Sequence, residues 1–400
     1  MDLGQFTSDI SSGALLATAA GLYTLSVTAF LILESRKPQS TFARLFVLCL
    51  FPAGGLSFAA VATAALVHGD RPASLLPEVQ SALPEPLERY LAAVVRPSQS
   101  ERAQLMAGAP ITKLLESDPS REVAVFGAVW IKASPARYVK AVKDIEKFER
   151  GRAFFVTKRI SSPPTLEDFA QLTLPDDDVI DLKSCRVGDC KINLSEQALQ
   201  KLRAQVDWKR STARADVQTA FRRLALEYVN GYREGGNARL AVYRDDARPT
   251  FVADEFRFLI ERMPTLATEL PDFRRYLLEY PAASLPGSTE FLYWQETKFG
   301  LKPTIRINHV VIQERLELTV VASKMLYASH YFWTALEMRV LVPDPTRGPG
   351  FWFVTVNRSR SDGLSGFVGR IVRNRVRSEV QKGMSAALTA TKANLETEAR

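Results

Sequence analysis

The stretch Thr304-Ile-Arg-Ile-Asn-His-Val-Val-Ile-Gln313, followed by Glu317-Leu-Thr-Val-Val-Ala-Ser323 and Leu336-Glu-Met-Arg-Val-Leu-Val342, decides the fold. Each run is short, rich in Val, Ile and Leu, and bounded by charged or turn-forming residues, the pattern of a strand. Glu290–Trp294 and Gly350–Asn357 flank these runs with the same character. Their connections are short, so the five are expected to form an antiparallel meander.

Working outward, Leu364, Phe367, Val368, Ile371, Val372, Val376, Val380, Met384 and Leu388 mark one side of a long terminal helix, with Arg370, Arg373, Arg377 and Lys382 elsewhere around it. A basic amphipathic helix can lie on a membrane. Here the strands just before it need a cover, so packing on the sheet is the expectation. Upstream, Arg121–Ile131 (REVAVFGAVWI) reads as a strand, and Ser134-Pro135 opens a helix through Arg150, with Ser as cap and Pro in the first turn. Ala153–Ile160 is a second strand, and Thr165–Gln171 a short helix after Pro163-Pro164. Residues 151–287 then read as mostly helical: Ser195–Val206, Thr212–Gly231, Ala253–Met263 and Asp272–Tyr280. In the second of these, Val217, Phe221, Leu224, Tyr228 and Tyr232 recur at three- and four-residue steps and predict a buried face. The fold class is α+β.

The amino-terminal part differs in kind. Gly13–Leu33 and Leu45–Val67 are 21 and 23 residues without a charge, long enough to cross roughly 30 Å of hydrocarbon. A cleaved signal peptide is a poorer reading, because the stretch is long and Met1–Ser12 holds no basic residue. Residues 1–67 are therefore read as a two-helix transmembrane anchor. Arg36, Lys37 and Arg44 lie between the spans, while residues 68–87 contain only Arg71. That asymmetry predicts a cytoplasmic loop, with the amino terminus and the carboxy-terminal domain periplasmic or extracellular at a bacterial inner membrane. Residues 68–97, rich in proline, read as a juxtamembrane linker with one short helix at Leu87–Val95, and residues 98–400 as the external domain.

An apolar content of 46% is ample for a core, and 24% charged residues fit a folded chain. The formal charge of +8 is dispersed and no nucleic-acid module signature is present, so nucleic acid is not an expected partner. Of three cysteines, Cys49 falls in the second apolar stretch, and Cys185 and Cys190 flank Arg-Val-Gly-Asp. In an oxidising compartment this pair can close a six-residue loop; a dithiol or redox pair is the alternative. Metal would need further ligands, and none clusters nearby. Asp176, Asp177, Asp178 and Asp181 lack EF-hand spacing and read as a turn.

Strand Arg121–Ile131, the helix at Ser134-Pro135, the later sheet and the long final helix together resemble the helix-grip fold of the START-like (SRPBCC) superfamily. The similarity is topological. It implies a curved antiparallel sheet around the terminal helix and an enclosed apolar cavity, with residues 151–287 as a large insertion that departs from the pattern. Locally, Cys185-Arg-Val-Gly-Asp-Cys190, Tyr293-Trp294 and Ser323-Lys-Met-Leu-Tyr-Ala-Ser-His-Tyr-Phe332 resemble an uncharacterised group of exported, membrane-anchored bacterial proteins. That resemblance covers most of residues 115–396 and implies export and a shared fold, with no mechanism.

Chemistry is densest at Lys324, Tyr327, Ser329, His330, Tyr331, Phe332 and Trp333, with Asn308 and His309 on a preceding strand. His330 and His309 are the candidate general bases, with Tyr327 as a catalytic partner. No nucleophile elbow, zinc motif, phosphate loop or dinucleotide fingerprint accompanies them, so no cofactor or metal is expected. A histidine bonded inside a core is the commoner case. If a cavity exists, Tyr293, Trp294, Tyr327, Tyr331 and Trp333 are candidate ligand-binding residues, joined by Phe291, Phe332, Phe351, Trp352 and Phe353; strand alternation lets only some face it. Arg358 and Arg360, before the terminal helix, can meet an anionic headgroup, and Ser361 or Asp362 can cap that helix. Three functions follow as expectations: carriage of an apolar or lipid-like ligand beside the bilayer, a hydrolase-like enzyme using His330 or His309, or a structural envelope protein that binds a partner or its own copies.

Overall fold

Strand alternation gives a sheet two faces, and in this chain both are covered. The computed structural model describes residues 83–151, 153–299, 302–361 and 366–397. Both expected spans lie outside the described residues, as does the linker up to residue 82. Among the described residues, no helix is long and apolar enough to cross a membrane.

The chain runs through α1 (Glu85–Tyr90, continued by a π-helical turn at Leu91–Val95), α2 (Gln99–Met106), β1 (Ile111–Leu114) and β2 (Glu122–Ile131). It continues through α3 (Pro135–Lys143), α4 (Ile145–Phe148) and β3 (Phe154–Ile160). A helical segment follows, made of α5 (Asp176–Ser184), α6 (Glu196–Gln205), α7 (Ala213–Gly235), a two-strand ribbon of β4 (Val242–Tyr243) and β5 (Thr250–Phe251), α8 (Val252–Glu261), α9 (Pro264–Glu269) and α10 (Pro271–Glu279). The meander is β6 (Ser288–Phe299), β7 (Lys302–Glu314), β8 (Thr319–Ala328), β9 (Phe332–Pro343) and β10 (Phe351–Ser361), closed by α11 (Gly366–Thr397).

Eight strands form one antiparallel sheet in the order β1-β2-β10-β9-β8-β7-β6-β3. The expected meander is present, and β2 and β3 flank it on opposite sides, joined through α3 and α4. All ten residues of β2 are buried, as a strand covered on both faces requires. One face carries Ala124, Phe126, Trp130, Leu336, Met338, Trp352 and Val354 into a core with Leu87, Leu91, Phe256, Leu259 and Phe273 from the helices. Toward β6 and β7 the same kind of cover comes from α7, whose Val217, Phe221, Val229 and Tyr232 pack in a second cluster with Leu292, Trp294 and Ile307. The stripe read from sequence is thus buried at these positions, with Leu224 and Tyr228 at its edge. Each such side chain contributes about 1.5–3 kcal/mol through burial.

The opposite face is covered by α11, through Val376, Val380, Met384 and Leu388, so the expected packing of helix on sheet is present. The approach is close at Gly127: a Cβ there would lie 2.8 Å from Leu388 Cδ1 and 2.9 Å from Met384 Cγ.

Several local readings change. Leu83, Leu87, Leu91 and Val95 lie in the core, so the folded unit includes the second half of the expected linker. Ser134 sits at the N-cap of α3 but makes no side-chain cap hydrogen bond, and α3 ends at Lys143. Asp176–Asp178 start a helix rather than a turn, where acidic residues suit the positive end of the helix dipole. β10 extends through Ser361, whose N–H donates to Arg121 O at 2.9 Å, so Ser361 is a strand residue and not a cap.

Candidate functional site

Three polar assemblies lie on or beside the sheet. The first occupies the face under α11. Odd-numbered residues of β6 and β8 to β10 and even-numbered residues of β7 point to it, which brings Tyr293, Gln295, Arg306, Asn308, Glu337 and Arg339 to one cavity of about 130 Å³. Tyr138 and Phe148 of the crossover helices, Phe353, and Val380 and Met384 of α11 supply apolar wall. Arg339 is held by Glu337, with Nε donating to Oε1 at 2.9 Å. Arg306 donates to Gln295 Oε1, a neutral acceptor. Burial lowers the Arg306 pKa. Burial also raises that of Glu149 against the pull of Arg339 and Arg306, favouring the uncharged acid. Arg306 Nε and Asn308 Nδ2 are buried and have no hydrogen-bond partner among the described residues. Two donors therefore remain open in the wall of a cavity that also carries a guanidinium without a carboxylate bonded to it.

The second assembly is a row across β6, β7 and β8 on the other face. His309 and Lys324 are register partners. Tyr232 of α7 reaches between them, 2.9 Å from His309 Nδ1 and 3.5 Å from Lys324 Nζ. His309 Nε2 lies 3.4 Å from Glu290 Oε2, which also accepts from Tyr276. Lys324 donates to Asn237 Oδ1 and sits 4.1 Å from the centre of the Phe256 ring, a cation–π arrangement when charged. Burial lowers the pKa of both Lys324 and His309, the latter against the pull of Glu290. Glu290 and His309 line a surface cleft of about 390 Å³ with Arg159, Arg233 and Tyr280.

The third is the β8–β9 turn. His330 Nδ1 faces Lys191 O at 3.0 Å and Nε2 faces Asp178 Oδ2 at 2.8 Å. Asp178 is fully buried and also lies 3.4 Å from Lys302 Nζ. Lys302 reaches Asp181 as well, at 2.6 Å, and Lys191 pairs with Asp181 at 2.9 Å. Asn193 donates to Ala328 O and Phe332 O, both at 3.0 Å. Cys185 and Cys190 form a disulfide, and its loop carries Lys191 to the turn. The clasp joins the helical segment to the sheet, with both nitrogens of His330 engaged.

The candidate residues read from sequence thus separate. Tyr293 lines the cavity under α11. Trp294, its neighbour, points the other way and donates from Nε1 to Asp168 O at 2.7 Å. Tyr327 lies with Tyr228 and Tyr243, ring centres 6.2 Å apart in each case, beside a separate cavity of about 300 Å³ under α7. Tyr331 has φ of +66° and its hydroxyl accepts from Lys302 N at 3.0 Å. Trp333 is flanked by Arg121 and Arg360, at 5.8 and 5.9 Å. His309 and His330 belong to different assemblies, and Tyr327 joins neither. Arg358 is paired with Glu122, and Arg360 with Glu255 and Asp118, so both are committed within the fold rather than offered to a headgroup. Arg306, Gln295 and Glu149 were not singled out by sequence, although the alternation in Thr304–Asn308 carries the signal for Arg306.

No protein-family model matches the chain, and no curated protein matches it.

Proposed function

We propose that this chain is a membrane-anchored, extracytoplasmic binding protein that holds a small amphipathic acid between its sheet and terminal helix. The strand order β2-β10-β9-β8-β7-β6-β3, with two crossover helices between β2 and β3 and a closing helix, supports the resemblance to the helix-grip superfamily, with the expected insertion of residues 151–287 shortened to 161–287 because β3 belongs to the sheet. The polar lining revises the expected apolar ligand to one with an acceptor group. A carboxylate meets the requirement: two open donors at Arg306 Nε and Asn308 Nδ2, a positive charge, and apolar wall beyond them. These open donors carry the reading.

Native mass spectrometry of the full chain in detergent, with organic extraction, tests it. The expected result is a co-purifying carboxylic acid that Arg306→Gln releases. Loss of one charge-assisted hydrogen bond costs about 1.5–3 kcal/mol, roughly ten- to hundredfold in affinity. An empty wild-type chain that takes up no member of a small-carboxylate panel would overturn it.

A second reading, an enzyme at the His309 cleft, is favoured by the continuous row Lys324–Tyr232–His309–Glu290, which can pass a proton from the interior to the surface. Unchanged turnover in Glu290→Gln and His309→Gln, for any substrate found, would remove it.

A further inference from the structure

An apolar cleft of about 510 Å³ opens on the face of the sheet opposite α11, within the size range of small-molecule sites. Its floor is Val340, Val354 and Val356, its walls are α1 and α9, and Leu316 and Leu318 of the β7–β8 hairpin stand at one end. Leu316 is fully exposed at the hairpin tip. Arg89 of α1 pairs with Glu269 of α9 at 2.9 Å, a strap between the two walls.

In sequence, the wall helix α1 (Glu85–Tyr90) follows closely on the first half of the proline-rich linker. Pro86 lines the cleft, and it lies only 19 positions after Val67, the end of the second apolar stretch. Fully extended, that length spans about 65 Å at most, so an anchored domain keeps the cleft within reach of the bilayer. An exposed leucine at the mouth of an apolar cleft, on a domain tethered this closely, fits hydrocarbon.

We infer that the cleft takes an acyl chain of a membrane phospholipid, entering past Leu316 and lying on Val340, Val354 and Val356. The inference rests on the anchoring part of the proposed function and is independent of the cavity under α11.

The test uses the full chain reconstituted in phosphatidylethanolamine and phosphatidylglycerol vesicles, with a small fraction of phosphatidylcholine bearing a diazirine near the acyl terminus. After illumination, adducts are mapped by peptide mass spectrometry. Adducts are expected at residues 316–318 and 338–342 in addition to residues 13–67. Val340→Trp, which fills the cleft, and Leu316→Glu, on a fully exposed residue, are each expected to reduce the cleft adducts at least fivefold while those in 13–67 stay constant. Thermal melting verifies that both variants stay folded. Adducts confined to 13–67, or cleft adducts unchanged in both variants, would overturn the inference while leaving the anchor standing. Release of the chain from the vesicles by carbonate would overturn both.

Discussion

His330 and Asp178 meet at 2.8 Å although 152 residues separate them in the chain, and both are buried. Removing the imidazole leaves the buried Asp178 carboxyl with one hydrogen-bond partner fewer, Lys302 staying 3.4 Å away, which costs about 1–3 kcal/mol. His330→Ala is therefore expected to lower the unfolding free energy by that order in urea titrations. Ligand retained by the folded fraction of this variant would separate the clasp from the binding cavity; ligand lost from folded protein would argue the reverse.

The disulfide closes a loop of six residues on the same clasp. The chain-entropy model assigns about 2 kcal/mol to so short a loop, so Cys185→Ser with Cys190→Ser is expected to lose roughly that much. After reduction in intact cells, a maleimide that cannot cross the inner membrane is expected to label Cys190 from outside, Cys185 being buried. Labelling only after lysis would reverse the proposed orientation.

His309 gives a pH dependence with a defined sign. Its ordinary pKa of 6.5 is lowered in the fold, by burial first, with Glu290 opposing. Below about pH 6.5 the unfolded chain takes up a proton that the folded chain still refuses, so stability is retained above that pH and lost as pH falls toward the folded pKa. The melting temperature should fall between pH 7.5 and 5.5, and His309→Gln should flatten that segment. An equal slope in the variant would assign the effect to other groups.

Gly127 lets α11 lie directly on β2. Gly127→Val places carbon where Leu388 and Met384 already sit, and overpacking of this kind costs about 1–3 kcal/mol. Gly127→Ala should be milder, because it adds one carbon only, and the atoms it meets belong to side chains rather than backbone. Equal stability for the wild type and both variants, measured by denaturant unfolding, would mean that the helix lies farther from the strand.

Much of the sheet was legible because Thr304–Gln313, Leu336–Val342 and Arg121–Ile131 are apolar runs of strand length, which few other structures accommodate. The side on which polar residues fall was harder to read. In Thr304-Ile-Arg-Ile-Asn-His309, Arg306 and Asn308 alternate with Ile305, Ile307 and His309, and alternation ordinarily sends polar residues to water. Here both faces are interior, so the polar positions face a cavity, a fact set by α11 some sixty residues later. The aromatic pairs scattered for the same reason: Tyr293 and Trp294 are neighbours in the chain and so face opposite sides of the sheet. The acidic run at Asp176 was misread because a nine-residue helix gives too little periodicity to outweigh three successive aspartates.

The register of β2 against β10 has a consequence for biogenesis. Every backbone partner that β10 offers β2 comes from at least 220 residues later in the chain, and the helix that covers them both comes later still. During synthesis, the β10-facing edge of a ten-residue strand containing Val125, Phe126 and Trp130 must wait, open and apolar, for almost the whole polypeptide to arrive, with only the four residues of β1 paired on its other side. Pairings of such long sequence separation form slowly and leave aggregation-prone edges open meanwhile. A chain cut short before Phe351 would present that edge permanently, making the last fifty residues a quality-control checkpoint for the domain.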